Sequence, residues 1–442
     1  MLKKLILLTC VASSLCLHAP ANGVDWHVNR EVGGEVDRSQ AAPFATLIEA
    51  RDAVRLARQS REIPEPDVIW IHPGIYVLDD TVELNHEDSG TEDAPITWRA
   101  VEPNKATLSG RDLSVLLSIY DAEHIRVEGL NLVNAIDQAV EVAHCQRVAI
   151  VNCSVSNSGD TGIHVFGGRD CKVSSCSIIE CRKIGIRVEA GDRETLSPAN
   201  HLVEACRIEK CGQGIAAESA AIHVAGVASK VLGNRITDCE NSGIRIDGND
   251  HAIIGNHLER TCLSAVNVGA IFHGHDSTER GNRIERNSII QVGESPRLDA
   301  IAIFLSEGAS DTVVHQNLIS SAGRGIGIGG GNANVITENM IEDCTIAIQL
   351  ENRGDQVATL SAGESNRIER NLLQRSGSVA VDSTETFRVN RISENRIGRQ
   401  LFVLNRQAGS ATVSLMASKD DVLPVLAISE TPRETVHVEK SE

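Results

Sequence analysis

The sequence predicts an all-β fold, a right-handed parallel β-helix (a solenoid) with a helical cap at its N-terminal end. Three observations predict it. A strand pattern recurs between residues 120 and 407, a marker residue returns at the same point of each repeat, and one amphipathic helix precedes the repeats. Repeats of this kind stack so that each contacts only its neighbours, and the terminal repeat needs a cover.

The first half of each repeat is a strand with alternating apolar residues. Between residues 162 and 354 it reads, in succession, GIHVFGG, GIRVEAG, AIHVAG, GIRIDGN, AVNVGA, AIAIFL, GIGIGGG and AIQLENRG. An alternation with a period of two is typical of a strand that is buried on one face. The outward side chains of successive repeats should then form a column, whose predicted members include His164, Arg187, His223, Arg245 and Asn267.

The second half of each repeat carries the marker, which is asparagine in most repeats and cysteine in some. The markers are 22 residues apart in the shortest coils and 32 in the longest, a length that suits about three short strands per coil. A buried asparagine at a turn can hydrogen-bond the backbone of the next coil, so we predict an asparagine ladder. Its predicted positions are Asn131, Cys153, Cys176, Cys206, Asn234, Asn256, Asn287, Asn317, Asn339, Asn371 and Asn395.

Ten of the twelve cysteines lie within the repeats. In an exported chain this number would suggest disulfides. The parallel Cβ vectors of stacked coils fit disulfide geometry poorly, however, so we interpret these cysteines as small packing residues and keep disulfides as the alternative. A second cysteine column follows the markers by five residues and contains Cys181, Cys211, Cys239 and Cys344, with Cys262 one residue out of phase.

The two ends of the chain differ from the repeats. Near its start the chain has two lysines, then an apolar run, then small residues typical of a signal-peptidase cleavage site. This order predicts a signal peptide and a secreted or periplasmic protein. Residues 43–59 place Thr46 and Glu49 at capping-box spacing before apolar residues at helical intervals, which predicts the cap helix. The predicted organisation is a signal peptide at 1–21, the cap helix and first strands at 22–119, β-helix coils at 120–407, and a C-terminal strand and tail at 408–442.

The charge balance restricts the partners of the protein. The chain has 60 Asp and Glu residues against 42 Lys and Arg residues, a formal net charge of −18. Such a surface disfavours nucleic acid and anionic membranes. It also disfavours polyuronates, unless a cation or a local basic stripe intervenes. We expect a monomer without a cofactor.

Several stretches resemble a known group of proteins. AAPFATLIEARDAVR and IHPGIYVLDDTVELNHEDSGTEDAPITWRA near the N-terminus, and GAIFHGHDSTERGNRIERNSI, AIAIFLSE and GIGIGGGNANVITENMIEDCTIAIQLENRG further on, are similar to secreted bacterial β-helix proteins of the pectate-lyase-like group, and most to its glycoside hydrolases. The resemblance covers roughly residues 27–355. It implies a groove that binds a polysaccharide or oligosaccharide, and an enzyme that cleaves this substrate; a fold-level likeness of this kind still leaves the function to be argued from the site.

The resemblance also implies two catalytic loops, NVGAIFHGHD at 267–276 and FLSE at 304–307. In the related glycosidases the first loop carries an acid at the position of Asn267, and the second ends in two acids where this chain has Ser306 and Glu307. An amide cannot take a proton at neutral pH. Two of the three implied acids are therefore replaced, and only Glu307 is retained.

Most glycosidases need two carboxyl groups, one as acid and one as base or nucleophile. Glu307 is the implied general acid. Asp247, two coils from the strand that leads to Glu307, and Asp276, in the neighbouring loop, are the candidate bases. Further substrate contacts are expected from Asn267, His223, Arg245, His273, His275, Ser306 and Arg353.

Plainer interpretations accompany these candidates. Arg187 and Arg245 could form ion pairs across coils with the neighbouring acids, and His223 could be a solvated surface residue. Arg353 could pair with a neighbouring acid instead of a substrate. His273, His275 and Asp276 include possible metal ligands, but the loop lacks clear further donors, so we expect no metal site.

Three functions remain open on the sequence. The leading one is an exported glycoside hydrolase. The first alternative is a lyase or epimerase on a uronate polymer, in which Arg245 neutralises the carboxylate and a basic residue removes the C5 proton. The second is a carbohydrate-binding β-helix that has lost its catalytic acids, as Asn267 and Ser306 suggest.

Overall fold

The structure is a computed structural model. It describes residues 23–31, 43–213, 218–264, 268–274, 279–294, 300–306, 308–350, 364–376, 379–381 and 390–397, together with short strands at 402–407, 410–415, 425–426 and 438–439. The predicted signal peptide lies outside these residues.

Three long parallel sheets enclose one core, and the predicted right-handed parallel β-helix is confirmed. The strands of sheet A are Val24–Val28, Asp67–Ile71, Ile96–Ala100, Ile125–Glu128, Ala149–Val151, Lys172–Ser174, Leu202–Glu204, Lys230–Leu232, Ala252–Ile254, Arg283–Glu285, Val313–His315, Val335–Thr337, Arg367–Glu369 and Arg391–Ser393. The strands of sheet B are Gly74–Leu78, Ala106–Gly110, Asn131–Val133, Ser154–Ser156, Ser177–Ile179, Arg207–Glu209, Arg235–Thr237, His257–Thr261, Ser288–Val292, Leu318–Ser320, Met340–Glu342, Leu372–Gln374 and Arg396–Ile397.

Sheet C is the sheet on which the candidate site lies. Its strands are Val82–Leu84, Val115–Tyr120, Gln138–Ala143, Thr161–Phe166, Ile184–Ala190, Ala220–Val227, Ser242–Asn249, Val268–His273, Ala300–Leu305, Arg324–Ile328, Ile346–Leu350, Val379–Val381 and Val425–Leu426. A small fourth sheet pairs Phe402–Gln407 antiparallel with Ser410–Leu415, which pairs in parallel with Val438–Glu439.

The core forms because the inward side chains of neighbouring coils stack on one another. Ile163 pairs with Ile186, and the column continues through Ile222 to Ile244. All four side chains are fully buried. Burial of one such side chain stabilises the fold by about 1.5–3 kcal/mol, so the alternating pattern of the sequence accounts for the stacking.

The cap helix runs from Leu47 to Gln59 and buries Leu47, Ala50 and Val54 against the first coils. Its N-terminus has the predicted capping box: the Glu49 amide donates to Thr46 Oγ1 at 3.1 Å, and Glu49 Oε2 accepts from the Thr46 amide at 3.2 Å. Across the part of the chain that is described, no helix has the length and apolar character needed to cross a membrane.

We expect Thr46→Ala to lower the free energy of unfolding of this end of the β-helix by about 1 kcal/mol, because the Glu49 amide loses its acceptor. Thr46→Ser keeps the hydroxyl and should stay close to wild type. Tryptophan fluorescence during urea unfolding reports on this end, since the three tryptophans, Trp26, Trp70 and Trp98, all lie in its first strands. A midpoint for Thr46→Ala equal to that of wild type would show that the cap contributes nothing.

The predicted asparagine ladder is present on the inner side of the turn before sheet B. Each Oδ1 accepts from the backbone amide of the ladder residue one coil earlier, at 2.9 Å in every case. Its asparagines are Asn234, Asn256, Asn287, Asn317, Asn339, Asn371 and Asn395. The prediction for Asn131 is wrong: Asn131 pairs with Ser154 in sheet B, and the buried Leu130 fills the ladder position instead.

A second ladder, before sheet A, was not predicted. Asn282 Oδ1 accepts from the His251 amide, and Asn366 Oδ1 from the Asn334 amide, both at 2.9 Å. Histidine can fill the same position, since His251 Nδ1 accepts from the Ser229 amide at 3.1 Å. This ladder escapes the sequence because its positions hold histidine, serine, threonine and cysteine as well as asparagine.

The ten cysteines of the repeats are buried free thiols, so the interpretation as packing residues is confirmed. Cys153, Cys176 and Cys206 occupy three consecutive positions of the ladder before sheet B. The thiol of Cys153 lies 3.8 Å from the carbonyl oxygen of Val127 one coil earlier, and that of Cys206 lies 3.8 Å from the carbonyl oxygen of Val173. Burial raises the pKa of the Cys262 thiol, as expected for a thiol with a packing role.

Two strands of sheet C lie in a different register from the predicted columns. Arg245 pairs with Phe272, where the sequence predicts Asn267, and Phe272 pairs with Phe304. In this register Ile271 continues the buried isoleucine column from Ile244. Ile271 fills a core position for which the sequence predicts the smaller Val266, which favours the observed register of this strand. Asn267 itself lies outside the described residues.

Candidate functional site

The outer face of sheet C carries a column of side chains from successive coils. Parallel pairing places them in the order Glu141, His164, Arg187, His223, Arg245, Phe272, Phe304, Gly327 and Gln349. Four consecutive members are basic. Two residues further along the same strands a second column contains Phe166, Glu189, Ala225 and Asp247.

Asp247 is the centre of a hydrogen-bonded charged unit. Its Oδ2 lies 2.7 Å from His223 Nε2, one coil earlier, and 2.6 Å from Nε of Arg245 on its own strand. A second guanidinium nitrogen of Arg245 donates to Asp247 Oδ1 at 3.2 Å. The His223 side chain is only 4% exposed, so the interpretation of His223 as a solvated surface residue is wrong.

The unit determines the charge of Asp247. Burial alone would raise the pKa of its carboxyl group, but the hydrogen bonds from His223 and Arg245 outweigh burial and hold that pKa well below its usual range. Asp247 is therefore a carboxylate at any physiological pH. It can orient a histidine and balance an arginine, but it is a weak base and cannot act as an acid.

The same arrangement occurs a second time, two coils earlier. His164 Nε2 lies 3.2 Å from Glu189 Oε2, and Arg187 donates to Glu189 Oε1 at 2.5 Å. Burial opposes ionisation of Glu189, but the hydrogen bonds from His164 and Arg187 lower its pKa to about 2. In both units the arginine and carboxylate belong to one strand and the histidine to the preceding coil, so the ion pairs predicted across coils occur within strands.

An aromatic pair adjoins the Asp247 unit. The rings of Phe272 and Phe304 lie 5.7 Å apart, and the Arg245 guanidinium lies 5.2 Å from the centre of the Phe272 ring. Both phenylalanines are 3% exposed. A methyl group on Gly327 would lie 3.2 Å from Phe304 Cδ2, so the glycine makes room for this ring.

His273 and Ser306 lie beneath the surface. His273 is fully buried; its Nε2 lies 2.6 Å from Asn282 Nδ2, and its Nδ1 lies 3.0 Å from the buried Glu279. The Ser306 hydroxyl donates to the carbonyl oxygen of Gly274. The structure thus does not bring these two predicted substrate-binding residues to the outer face, because the register of this coil turns His273 towards the interior.

Five predicted site residues lie outside the described residues: Glu307, Asp276, Asn267, His275 and Arg353. Their proposed roles remain predictions. Within the described ranges, no group of three or more His, Cys, Asp and Glu side chains is arranged to hold a metal ion.

Sequence reasoning missed the link between each histidine and the carboxylate of the next coil. The signal is present in the chain: IHV at 163–165 is followed by IRVE at 186–189, and IHV at 222–224 by IRID at 244–247. Histidine precedes an arginine–acid pair by one coil in both cases. Recognition of the unit requires the register of the coils as well as the motif.

The fold and its charged outer face define a parallel β-helix protein with a site on one sheet. A family model described as right handed beta helix region matches residues 111–221 and 220–397, more than half of the chain. The chain belongs to this family, and the resemblance to β-helix proteins inferred from the sequence is confirmed.

Solved structures with the same fold include polysaccharide lyases and a hydrolase. A PL6 alginate lyase in complex with a trisaccharide is 16% identical, with a TM-score of 0.57 over 94% of this chain and 96% of that chain. A PL6 family polysaccharide lyase from Pseudopedobacter saltans is 16% identical, with a TM-score of 0.56 over 86% and 96%. A glycoside hydrolase is 12% identical, with a TM-score of 0.54 over 84% and 96%. At these identities the likeness shows the fold.

Proposed function

We propose that this protein is carbohydrate-active, that it binds a uronate polymer on the outer face of sheet C, and that it cleaves the polymer by β-elimination. The observation that carries the proposal is the His223–Asp247–Arg245 unit. It combines an oriented imidazole and a guanidinium on adjacent coils, about 5 Å apart by the strand spacing.

Elimination from a uronate needs a base that removes the C5 proton. It also needs a positive charge beside the carboxylate, which stabilises the negative charge that develops when this proton leaves. The Asp247 carboxylate at 2.7 Å favours the tautomer with the proton on His223 Nε2. His223 Nδ1 is buried and has no hydrogen-bond partner within the described part of the chain, so its lone pair is the candidate base once substrate binding opens a path to it. Arg245 supplies the positive charge.

The electron balance of the step is simple. The imidazole takes the C5 proton, the C5–H electron pair forms the C4–C5 double bond, and the C4–O bond breaks. The leaving oxygen then receives a proton from the imidazolium. Asp247 stabilises the imidazolium in between, because its carboxylate remains charged.

Two features support elimination over hydrolysis. The depressed pKa of Asp247 makes it a poor partner for the acid–base pair that a glycosidase requires. The outer face between His164 and Arg245 is also less acidic than the chain as a whole, because Arg187 and Arg245 balance the charges of Glu189 and Asp247, and this lowers the repulsion of an approaching polyuronate. Several of the solved structures with this fold are named as PL6 lyases, which agrees with the proposal.

The test is incubation of the chain with alginate, polygalacturonate and neutral polysaccharides. Ultraviolet absorbance of unsaturated uronate and the release of reducing ends are followed in parallel. We expect both signals on a uronate polymer, and a loss of about 100- to 10,000-fold in His223→Gln. His257→Gln is the matched control, since His257 also faces a carboxylate, Glu259 at 3.5 Å, but on sheet B.

A glycoside hydrolase remains the second candidate, with Glu307 as general acid and Asp247 or Asp276 as base. The resemblance of the catalytic loops and the hydrolase of the same fold favour it. Reducing ends without unsaturated product, absent in Glu307→Gln, would establish this function and overturn elimination. Binding of a polysaccharide without either signal would identify a non-catalytic carbohydrate-binding protein.

A further inference from the structure

Phe166 is an exposed aromatic residue on the face that carries the candidate site. Its exposed fraction is 44%, whereas Phe44, Phe272 and Phe304 are at most 9% exposed. Only 2% of the chain is aromatic. Single exposed apolar side chains are ordinary on a protein surface, so it is the position of Phe166 beside the candidate site that points to a ligand.

The surrounding residues hold the ring in place. The His144 ring meets Phe166 edge-on at 5.0 Å, and the His164 ring lies 6.1 Å away. The His144 amide donates to the Phe166 carbonyl oxygen at 2.7 Å. Gly167, with φ of 63°, allows the chain to turn directly after the ring, and a methyl group there would lie 2.5 Å from His144 Nδ1.

Polar groups lie beside this ring as well. Glu189 is the register partner of Phe166 on the next coil, and its carboxylate is held by His164 and Arg187. The side chains of Glu189 and Arg187 are 24% and 25% exposed. An apolar ring next to exposed hydrogen-bonding groups matches a sugar, which has C–H groups on its ring face and hydroxyls around its edge.

The ring is aligned with the proposed site of cleavage. From Phe166 the column continues through Glu189 and Ala225 to Asp247. Three strand spacings separate the two ends, about 14 Å. The small side chain of Ala225, between Glu189 and Asp247, leaves space for a ligand above the sheet. One sugar residue of an extended polymer advances by about one strand spacing, so Phe166 lies about three sugar residues from Asp247.

We propose that Phe166, Glu189 and Arg187 form a distal sugar-binding subsite, and that the polymer lies along the β-helix axis between this subsite and the Asp247 unit. The inference rests on the proposed function for the class of ligand. It adds the orientation of the polymer on the β-helix and the length of polymer that contacts the protein. Oligomers long enough to reach Phe166 bind more tightly than short ones.

The test measures binding of oligouronate dimers and hexamers by calorimetry, in the His223→Gln background so that no substrate is consumed. Phe166→Ala should weaken hexamer binding about tenfold and leave dimer binding unchanged. Phe166→Trp keeps an aromatic ring and should retain the hexamer affinity of the parent. Leu318→Ala is the matched control, because Leu318 is 40% exposed but lies on sheet B.

The outcomes separate this subsite from the proposed reaction. Equal hexamer affinities of Phe166→Ala and its parent, or an equal loss for dimer and hexamer, would overturn the subsite even where elimination is observed. A selective hexamer loss, together with a wild-type protein that yields no unsaturated product, would establish the subsite and overturn elimination. Failure of every oligouronate to bind the wild-type protein would overturn both.

Discussion

Asn287→Ala is expected to lower the free energy of unfolding by about 4 kcal/mol. Asn287 Oδ1 accepts from the backbone amide of Asn256 at 2.9 Å and from its Nδ2 at 3.0 Å, and Asn287 Nδ2 donates to the Ile253 carbonyl oxygen at 2.9 Å. The substitution leaves the Asn256 amide buried without its acceptor and removes one hydrogen bond each from Asn256 Nδ2 and the Ile253 carbonyl oxygen. A buried polar group that loses its partner costs about 1–3 kcal/mol.

Urea unfolding, followed by circular dichroism, measures this effect. Asn131→Ala is the matched control, since Asn131 lies on the surface of sheet B, where its side chain makes one hydrogen bond, to Thr107 at 3.0 Å. We expect a change of less than about 1 kcal/mol there. Similar losses in both variants would contradict the assignment of the ladder position to Leu130 and Asn287.

Asp247→Asn is expected to reduce the rate of the proposed β-elimination by about 100- to 10,000-fold. The amide removes the negative charge that orients His223 and balances Arg245, two side chains that are only 4% and 12% exposed. A buried guanidinium without its carboxylate also destabilises the coil. Glu259→Gln on sheet B, whose carboxylate faces His257, is the matched control and should retain activity. A fully active Asp247→Asn protein would remove the unit from the mechanism.

The stability of wild type relative to Asp247→Asn should depend on pH in a defined direction. The pKa of Asp247 is lowered in the folded protein, so its contribution to stability is complete above the ordinary aspartate pKa of about 3.9. It decreases as the pH falls below that value. Urea midpoints of the two proteins should therefore converge in acid and differ by a constant amount near neutral pH. A gap that widens in acid would contradict the assignment.

The sequence by itself determined the architecture. The period of two in the strands, the recurrence of the markers and the Thr46–Glu49 capping box each depend on residues close together in the chain or on a repeated spacing. For the same reason the ladder from Asn234 to Asn395 and the burial of the cysteines could be predicted. These features are local or periodic, so one chain carries enough information to identify them.

Only the tertiary structure decided the register and hence the site. For the strand Val268–His273 the sequence predicts a register that is wrong by five residues, because coils of variable length leave the pairing open, and an odd shift also exchanges the buried and exposed faces of the strand. The pairing of Arg245 with Phe272 follows from which side chain fills the core. His223 and Asp247 are 24 residues apart in the chain and 2.7 Å apart in space, a contact that exists only because one coil stacks on the next.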